Sequence, residues 1–259
     1  MKRPGILFMV AFAAVVAACE DDAPVAPDAE FSPALTGPNA TPFLTSEPLQ
    51  ARFASGVSGE LKALATVGDV LPGSGMALAP IPDGIGVWGG GRFLNLMMNH
   101  ELSDAGVDGQ FQNARVSRIT LDLHSLAIVD HSYVIDGSEG YNRLCSAEWF
   151  DGRDGFPGGY FFTGEEIDDG MQLIIDRQGR VTEAPWIGKY AHENQIAVPG
   201  FPGHVVLLNF DDNGGSGVGR EGSTSEVYMY VARNSSEVMR GADSFTYTRP
   251  TTRTCCPAT

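Results

Sequence analysis

Short apolar runs separated by turn residues constrain the fold of this 259-residue chain more than any other feature. The clearest runs lie at residues 92–98, 118–123, 159–163, 172–176, 204–209 and 227–231. Glycine is abundant, at 32 residues, and long helical heptads are absent from the sequence. Many short strands between Gly, Asp and Pro turns predict an all-β fold, either a sandwich or a β-propeller.

Residues 172–181 favour the propeller, because they have the pattern of a strand, a tight turn ending in Gly179, and a second strand. Propeller blades are built from such hairpins and take about 40–45 residues each. We therefore expect residues 51–245 to form a partial propeller of roughly four to five blades.

The first residues have the pattern of a secretory signal. Lys2 and Arg3 precede a fourteen-residue apolar run that ends in small residues before Cys19. A spanning helix needs about 20 apolar residues, so this run is too short to remain in the membrane. The ending Val-Ala-Ala-Cys resembles the lipobox of bacterial lipoproteins, which implies a signal peptide at 1–18 and a lipid on Cys19. An ordinary cleaved signal with an incidental cysteine is the alternative.

Residues 19–50 continue with acids and then with frequent Pro, Ala, Thr and Ser. This composition buries little apolar surface and predicts a disordered linker beyond the lipidated cysteine. We expect an exported, membrane-anchored lipoprotein that faces the periplasm or the cell exterior.

The formal net charge of −15 limits the partners of the folded region. A surface this acidic repels nucleic acid, so we expect no nucleic-acid partner. It suits a protein that collects cations. An anionic substrate would need a local positive centre, supplied by arginines or by bound metal.

Carboxylates and one thiol lie at the ends of predicted strands, where the loops of a propeller crowd its axis. The candidate metal ligands are Glu101, Cys145, Glu165, Glu166 and Glu193. Adjacent acids repel each other unless a shared hard cation relieves the repulsion. A thiolate among carboxylates suits iron better than calcium or magnesium. The alternative is that the acids are solvated turn residues and that Cys145 is structural.

The same segments resemble the PhoX-type alkaline phosphatases, which are exported calcium- and iron-dependent phosphomonoesterases. The resemblance covers about residues 65–240. The matching segments are Gly84-Ile85-Gly86-Val87, Asn99-His100-Glu101, Cys145, Thr163-Gly164-Glu165-Glu166, His192-Glu193-Asn194, Asp211-Asp212 and Ser225–Val231.

This resemblance implies a β-propeller with calcium and iron near its axis and small phosphate esters as substrates. Cys145 would be the iron thiolate ligand. Glu101, Glu165 or Glu166, and Glu193 would be carboxylate ligands, and arginines would bind the phosphate.

Two differences between this sequence and the family leave other functional interpretations open. Cys145 is followed by Ser-Ala-Glu-Trp instead of a Gly-rich stretch, which affects the iron site most. Residues 246–259 form a Thr- and Arg-rich tail with no match for the later phosphate-binding arginines, so we expect a truncated product or a shorter relative. The alternatives are a non-catalytic calcium-binding surface lipoprotein and a calcium propeller of the lactonase or esterase kind that does not use the thiol.

Overall fold

A computed structural model describes residues 54–56, 63–107, 111–213 and 225–241. These residues form eleven strands in three antiparallel sheets, with two short 3₁₀ turns and one short helix. The fold is therefore nearly all-β, as the sequence predicts. The described residues contain three sheets, and the count of four to five blades stays a prediction. No described helix is long and apolar enough to span a bilayer.

Each sheet is an up-and-down meander in chain order. Sheet 1 contains β1 (Pro82–Gly90), β2 (Phe93–His100), β3 (Arg115–Asp122) and β4 (Ile128–Ile135). Sheet 2 contains β5 (Leu144–Phe150), β6 (Tyr160–Glu165), β7 (Gln172–Asp176) and β8 (Val181–Glu183). Sheet 3 contains β9 (His192–Ala197), β10 (Val205–Asp211) and β11 (Val227–Ala232), and helix α1 (Ser235–Arg240) follows it.

The predicted hairpin at residues 172–181 is confirmed as β7, a tight turn and β8. The Asp176 carboxylate accepts hydrogen bonds from the amides of Gln178 and Arg180, each at 2.9 Å. Gly179 completes the turn at a φ of 85°, a left-handed conformation that glycine adopts without a steric penalty. The turn therefore depends on an aspartate and a glycine that the sequence makes visible.

Sheet 2 is covered on both faces. Phe161, Leu173 and Ile175 pack against residues of sheet 1, whereas Phe162 and Ile174 pack against residues of sheet 3. Successive side chains of a strand point to opposite faces, so a strand buried on both sides is apolar at consecutive positions. All five residues of β7 are buried accordingly.

The far face of sheet 1 is covered by residues of the segment before it. Leu71 and Leu78 pack there with Met98, Ile119 and Leu121, and all five side chains are buried. Burial of apolar surface fixes this segment on the sheet.

Four buried or half-buried side chains of sheet 1 and its covering segment form a continuous hydrogen-bonded chain, here called the histidine–serine chain: Ser74, His131, Ser117 and His100. The Oγ atom of Ser74 lies 2.7 Å from Nδ1 of His131, and Nε2 of His131 lies 3.1 Å from Oγ of Ser117. That hydroxyl lies 2.7 Å from Nε2 of His100, whose Nδ1 lies 3.2 Å from the carbonyl of Pro80.

The direction of the histidine–serine chain follows from its last acceptor. A carbonyl only accepts, so Nδ1 of His100 must carry the proton, and its Nε2 accepts from Ser117. The hydroxyl of Ser117 then accepts from Nε2 of His131. Nδ1 of His131 in turn accepts from Ser74. Both imidazoles are neutral, and every ring nitrogen of the chain has a partner.

Candidate metal centre

Five acidic or thiol side chains from all three sheets lie at one end of the strands. Asp83, Cys145 and Glu193 are the second residues of β1, β5 and β9. Glu101 and Glu166 directly follow β2 and β6. Each first strand pairs antiparallel with its neighbour, so the start of one strand adjoins the end of the next. This topology brings residues that are far apart in sequence to one end of the sheets.

These side chains form two groups that share Cys145. In the first, the candidate ligand atoms of Asp83, Glu101 and Cys145 all lie within 4.8 Å of one another. In the second, those of Cys145, Glu166 and Glu193 do. Calcium–oxygen bonds are about 2.3–2.6 Å long, so atoms at this separation can share one cation. The geometry therefore accommodates a cation in either group.

The thiol of Cys145 is held by carboxylates. Its Sγ donates to Oε1 of Glu193 at 3.0 Å and lies 3.7 Å from Oδ2 of Asp83. Burial raises the pKa of this thiol far above its ordinary range, and the hydrogen bond to Glu193 raises it further. Cys145 is therefore a neutral thiol when no cation is present. A bound metal ion reverses this balance, because a coordinating thiol loses its proton.

The carboxylates of the two groups exceed the positive charge beside them. Burial raises the pKa of Asp83, with repulsion from Glu101 adding to it. Burial also raises the pKa of Glu166, although Arg143 opposes the shift. Raised carboxyl pKa values mean that the ionised forms lack sufficient compensation. A bound cation would supply it.

Arg143 is the cation that contacts both groups. Its Nε and Nη2 donate to Oε1 of Glu101 at 2.9 and 2.8 Å, and Nη2 also donates to Oε2 of Glu166 at 2.8 Å. Its main chain joins the same loops, donating to the carbonyl of Leu102 and accepting from the amide of Glu166, each at 2.9 Å. The φ of 47° is unfavourable for an arginine, and such strained residues cluster at functional sites.

Two buried residues, one in β2 and one in β9, each retain a polar atom with no hydrogen-bond partner among the described residues. Asn99 is fully buried, and its Nδ2 donates to the carbonyl of Cys145 and to Oγ1 of Thr163, each at 2.7 Å, while its Oδ1 is unpaired. His192 is 3% exposed, and its Nε2 is unpaired. Burial lowers the pKa of His192 to about 4, so the ring is neutral. Unpaired buried polar atoms are rare, and a water molecule or an ion can supply the missing partner.

The structure brings together four of the five predicted ligands: Glu101, Cys145, Glu166 and Glu193. It does not bring Glu165 to them. The Glu165 carboxylate accepts from the amides of Asn142 at 2.8 Å and Met171 at 3.1 Å, which fixes the loops before β5 and β7. Adjacent residues of an extended chain point in opposite directions, so only one of the Glu165–Glu166 pair reaches the groups. Cys19, the predicted lipid attachment site, lies outside the described residues.

Asp83 is the ligand candidate that sequence reasoning missed. Gly84–Val87, one of the segments that resemble the phosphatases, lies inside β1, and Asp83 precedes it as the second residue of that strand. The available signal was an acid at the start of a strand whose antiparallel partner ends beside Glu101.

A cavity of about 340 Å³ opens beside the second group. It is lined by Glu193, Asn194, Phe210, Asp211, Asp212 and Ser225. The Asp211 side chain accepts from the amide of Asn213 at 3.0 Å, as in a polar turn. Of the second group, Glu193 lines this cavity.

The donor set fits two kinds of cation. Carboxylate oxygens are the ligands that calcium prefers, and a thiolate among them suits iron. These residues could hold both metals, because Cys145 belongs to both groups.

No family model matches the chain, and no curated protein matches it. Among solved structures, the GH43 BlXynB protein from Bacillus licheniformis is similar at 12% identity and a TM-score of 0.35. The similarity covers 60% of this chain and 27% of that one. A TM-score this low leaves the fold and the activity of this chain unassigned.

Proposed function

We propose that this protein is an exported, metal-dependent hydrolase of phosphate monoesters. The observation that carries the proposal is the convergence of Cys145 with carboxylates from three sheets into two groups compact enough to hold cations. The resemblance to the PhoX-type alkaline phosphatases supplies the substrate class and the choice of calcium and iron.

The fold in this proposal is part of a β-propeller. Three consecutive meanders pack face to face through two apolar clusters, as neighbouring blades do. The first strands support it further, because β5 contacts both β1 and β9. In a propeller the first strand of each blade lines the axis, and here the same strands carry Asp83, Cys145 and Glu193.

In this mechanism the chain's residues hold the charge and position the reacting groups. When bound, calcium and iron neutralise a phosphoryl group and activate the attacking oxygen. The metal ligands would come from five side chains: Asp83, Glu101, Cys145, Glu166 and Glu193. Their fixed positions keep the site preorganised, which lowers the cost of reorganisation during the reaction. The cavity beside Glu193 admits the ester.

A non-catalytic calcium-binding lipoprotein is the second candidate. The observation that favours it is the engagement of Arg143, the one described cation that contacts the groups, with two carboxylates. A phosphatase needs a positive group directed at the phosphate, whereas the guanidinium of Arg143 is paired with Glu101 and Glu166.

Hydrolysis of p-nitrophenyl phosphate by the purified protein, loaded with calcium and iron, tests the proposal. We expect turnover in the wild type and a loss of about a hundredfold or more in Cys145→Ala, because the iron ligand is gone. Ser146→Ala, one residue away, is the control and keeps its activity. Calcium binding without turnover would contradict hydrolysis and favour the second candidate. Activity that survives in Cys145→Ala would instead favour the calcium-only hydrolase.

We also propose that the protein is anchored to a membrane by a lipid on Cys19. Metabolic labelling with palmitate tests this directly. Label on the wild type that disappears in Cys19→Ala is expected, and an unlabelled wild type would contradict the anchor.

A further inference from the structure

Arg143 bridges the two ligand groups. Glu101 belongs to the first group and Glu166 to the second, and the guanidinium binds one oxygen of each. Its side chain is 43% exposed, and its Nη1 makes no hydrogen bond to the described residues. The guanidinium therefore neutralises one ligand in each group while part of it still faces solvent.

A metal ion and this guanidinium compete for the same carboxylates. Two guanidinium nitrogens occupy a single oxygen of Glu101, and a third contact occupies Oε2 of Glu166. A cation in the first group would bind Glu101, and a cation in the second group would bind Glu166. Arg143 now neutralises both carboxylates, so the cation and the guanidinium would lie close together and repel each other. Loading the groups thus weakens the attraction that holds the guanidinium in place.

We propose that Arg143 is a built-in counter-ion which yields Glu101 and Glu166 to bound cations and then binds the oxyanion of the ligand. This inference rests on the proposed metal site and deepens it by assigning an anion-binding residue. A guanidinium offers a planar fork of donors that matches phosphate or carboxylate oxygens. The strongly acidic chain needs such a group, since its own field repels anions.

The left-handed backbone of Arg143 supports a role beyond simple charge pairing. An arginine at a φ of 47° carries strain that asparagine or glycine would relieve. The strained conformation places the side chain over both groups, where one guanidinium reaches two loops. Arg153 offers a contrast, because among the described residues it forms an ion pair with Asp151 alone, and its side chain is 89% exposed.

Calorimetric titration of the purified, metal-free protein with calcium alone is the first measurement. We expect Arg143→Met to bind calcium about fivefold more tightly than the wild type, the gain expected from removing a partly exposed competing ion pair. The calcium-loaded proteins are then titrated with inorganic phosphate. Phosphate affinity should fall about tenfold or more in Arg143→Met, because a charge-assisted fork is lost. Arg153→Met should match the wild type in both titrations.

Arg143→Asn guards against a folding defect, because asparagine tolerates the left-handed backbone and removes the charge. It should repeat both shifts. Equal calcium and phosphate affinities in the wild type and both variants would overturn the role of Arg143 while leaving the metal site intact. Weaker calcium binding in both variants would do the same, because it would make Arg143 a support for the cation. If neither the wild type nor any variant bound calcium, the proposed function would fall as well.

Discussion

Two polar regions of this protein, the histidine–serine chain and the two ligand groups, balance their charges in opposite ways. In the histidine–serine chain each ring nitrogen has a partner, and the chain ends on a main-chain carbonyl. In the two ligand groups, four carboxylates face one guanidinium and a neutral thiol. Every ring nitrogen of the histidine–serine chain is paired without a ligand, whereas the two ligand groups carry more negative than positive charge.

This difference separates a structural polar network from a candidate binding site. A fully paired buried network stabilises and specifies the fold, because leaving any member unpaired carries a large cost. A network with excess charge of one sign retains the capacity to bind the opposite charge. His100 and Glu101 are neighbours in sequence, yet His100 belongs to the first kind of region and Glu101 to the second.

The largest effect is expected from removing two carboxylates of the second group. Glu166→Gln combined with Glu193→Gln should weaken calcium binding about a thousandfold, because affinity depends on the number of charged ligands. Titration calorimetry measures the change. The matched control is Glu165→Gln, since that neighbouring carboxylate contacts only the amides of Asn142 and Met171 within the described structure. A control that lost calcium as strongly as the double variant would contradict the division between the two glutamates.

The next effect concerns the stability of the histidine–serine chain. His131→Phe should lower the free energy of unfolding by about 2–3 kcal/mol, because the buried hydroxyl of Ser117 loses its donor and the hydroxyl of Ser74 loses its acceptor. Urea unfolding followed by circular dichroism measures the loss. Calcium affinity should stay unchanged. A variant that kept its stability but lost calcium would reverse the roles assigned to the two regions.

Acid should act on the two regions with opposite signs in the metal-free protein. Burial lowers the pKa of His100 from 6.5 to about 4 and lowers that of His131, so protonation favours the unfolded chain. Their contribution is present above pH 6.5 and is lost as the pH falls towards 4. The raised pKa values of Asp83 and Glu166 work the other way, because protonation relieves their repulsion.

His192, whose pKa burial also lowers to about 4, adds to the histidine effect. The net result should be a loss of at least about 2 kcal/mol of unfolding free energy between pH 7 and pH 4, since one pKa unit corresponds to about 1.4 kcal/mol and the carboxyls offset part of the histidine effect. Urea titrations at a series of pH values measure it. The same fall should be smaller in His131→Phe. A stability that rose steadily with acid would show that the carboxyls outweigh the histidines.

The smallest effect is expected at the exposed end of the histidine–serine chain. Ser74→Ala removes the hydrogen bond to Nδ1 of His131 and the one that Oγ accepts from the exposed amide of Met76, and water can replace both because Ser74 is only half-buried. We expect a loss of about 1 kcal/mol by urea unfolding, the usual net value of one hydrogen bond. A loss as large as that of His131→Phe would mean that the chain depends on its outer end.

The sequence predicted the strands well where the apolar runs were continuous. β6 and β7 were visible because both their faces are buried, which removes the polar alternation. β1, β5 and β9 were less visible, since Gly84, Cys145 and Asn194 interrupt their patterns. These three strands carry half-buried polar residues at the candidate site, so function obscures the strand signal there.

The site was only partly predictable for a similar reason. Glu101 was identified because it directly follows an apolar run, Glu193 because it precedes a predicted strand, and Cys145 because it is the lone thiol in the middle of the folded region. Choosing between Glu165 and Glu166 requires knowing which side chain points towards the neighbouring sheet. Asp83 becomes a candidate only once the register places the start of β1 beside the end of β2. That register is a long-range pairing, which local sequence patterns do not encode.

Metal analysis of the purified protein tests whether Cys145 and the carboxylates around it form a metal centre. The protein is incubated with calcium and ferrous iron, dialysed, and measured by mass spectrometry of the elements, with Cys145→Ala beside it. We expect the wild type to retain both metals, and Cys145→Ala to lose iron while keeping calcium. A wild type that retains neither metal would contradict the claim that Cys145 and its surrounding carboxylates form a metal centre.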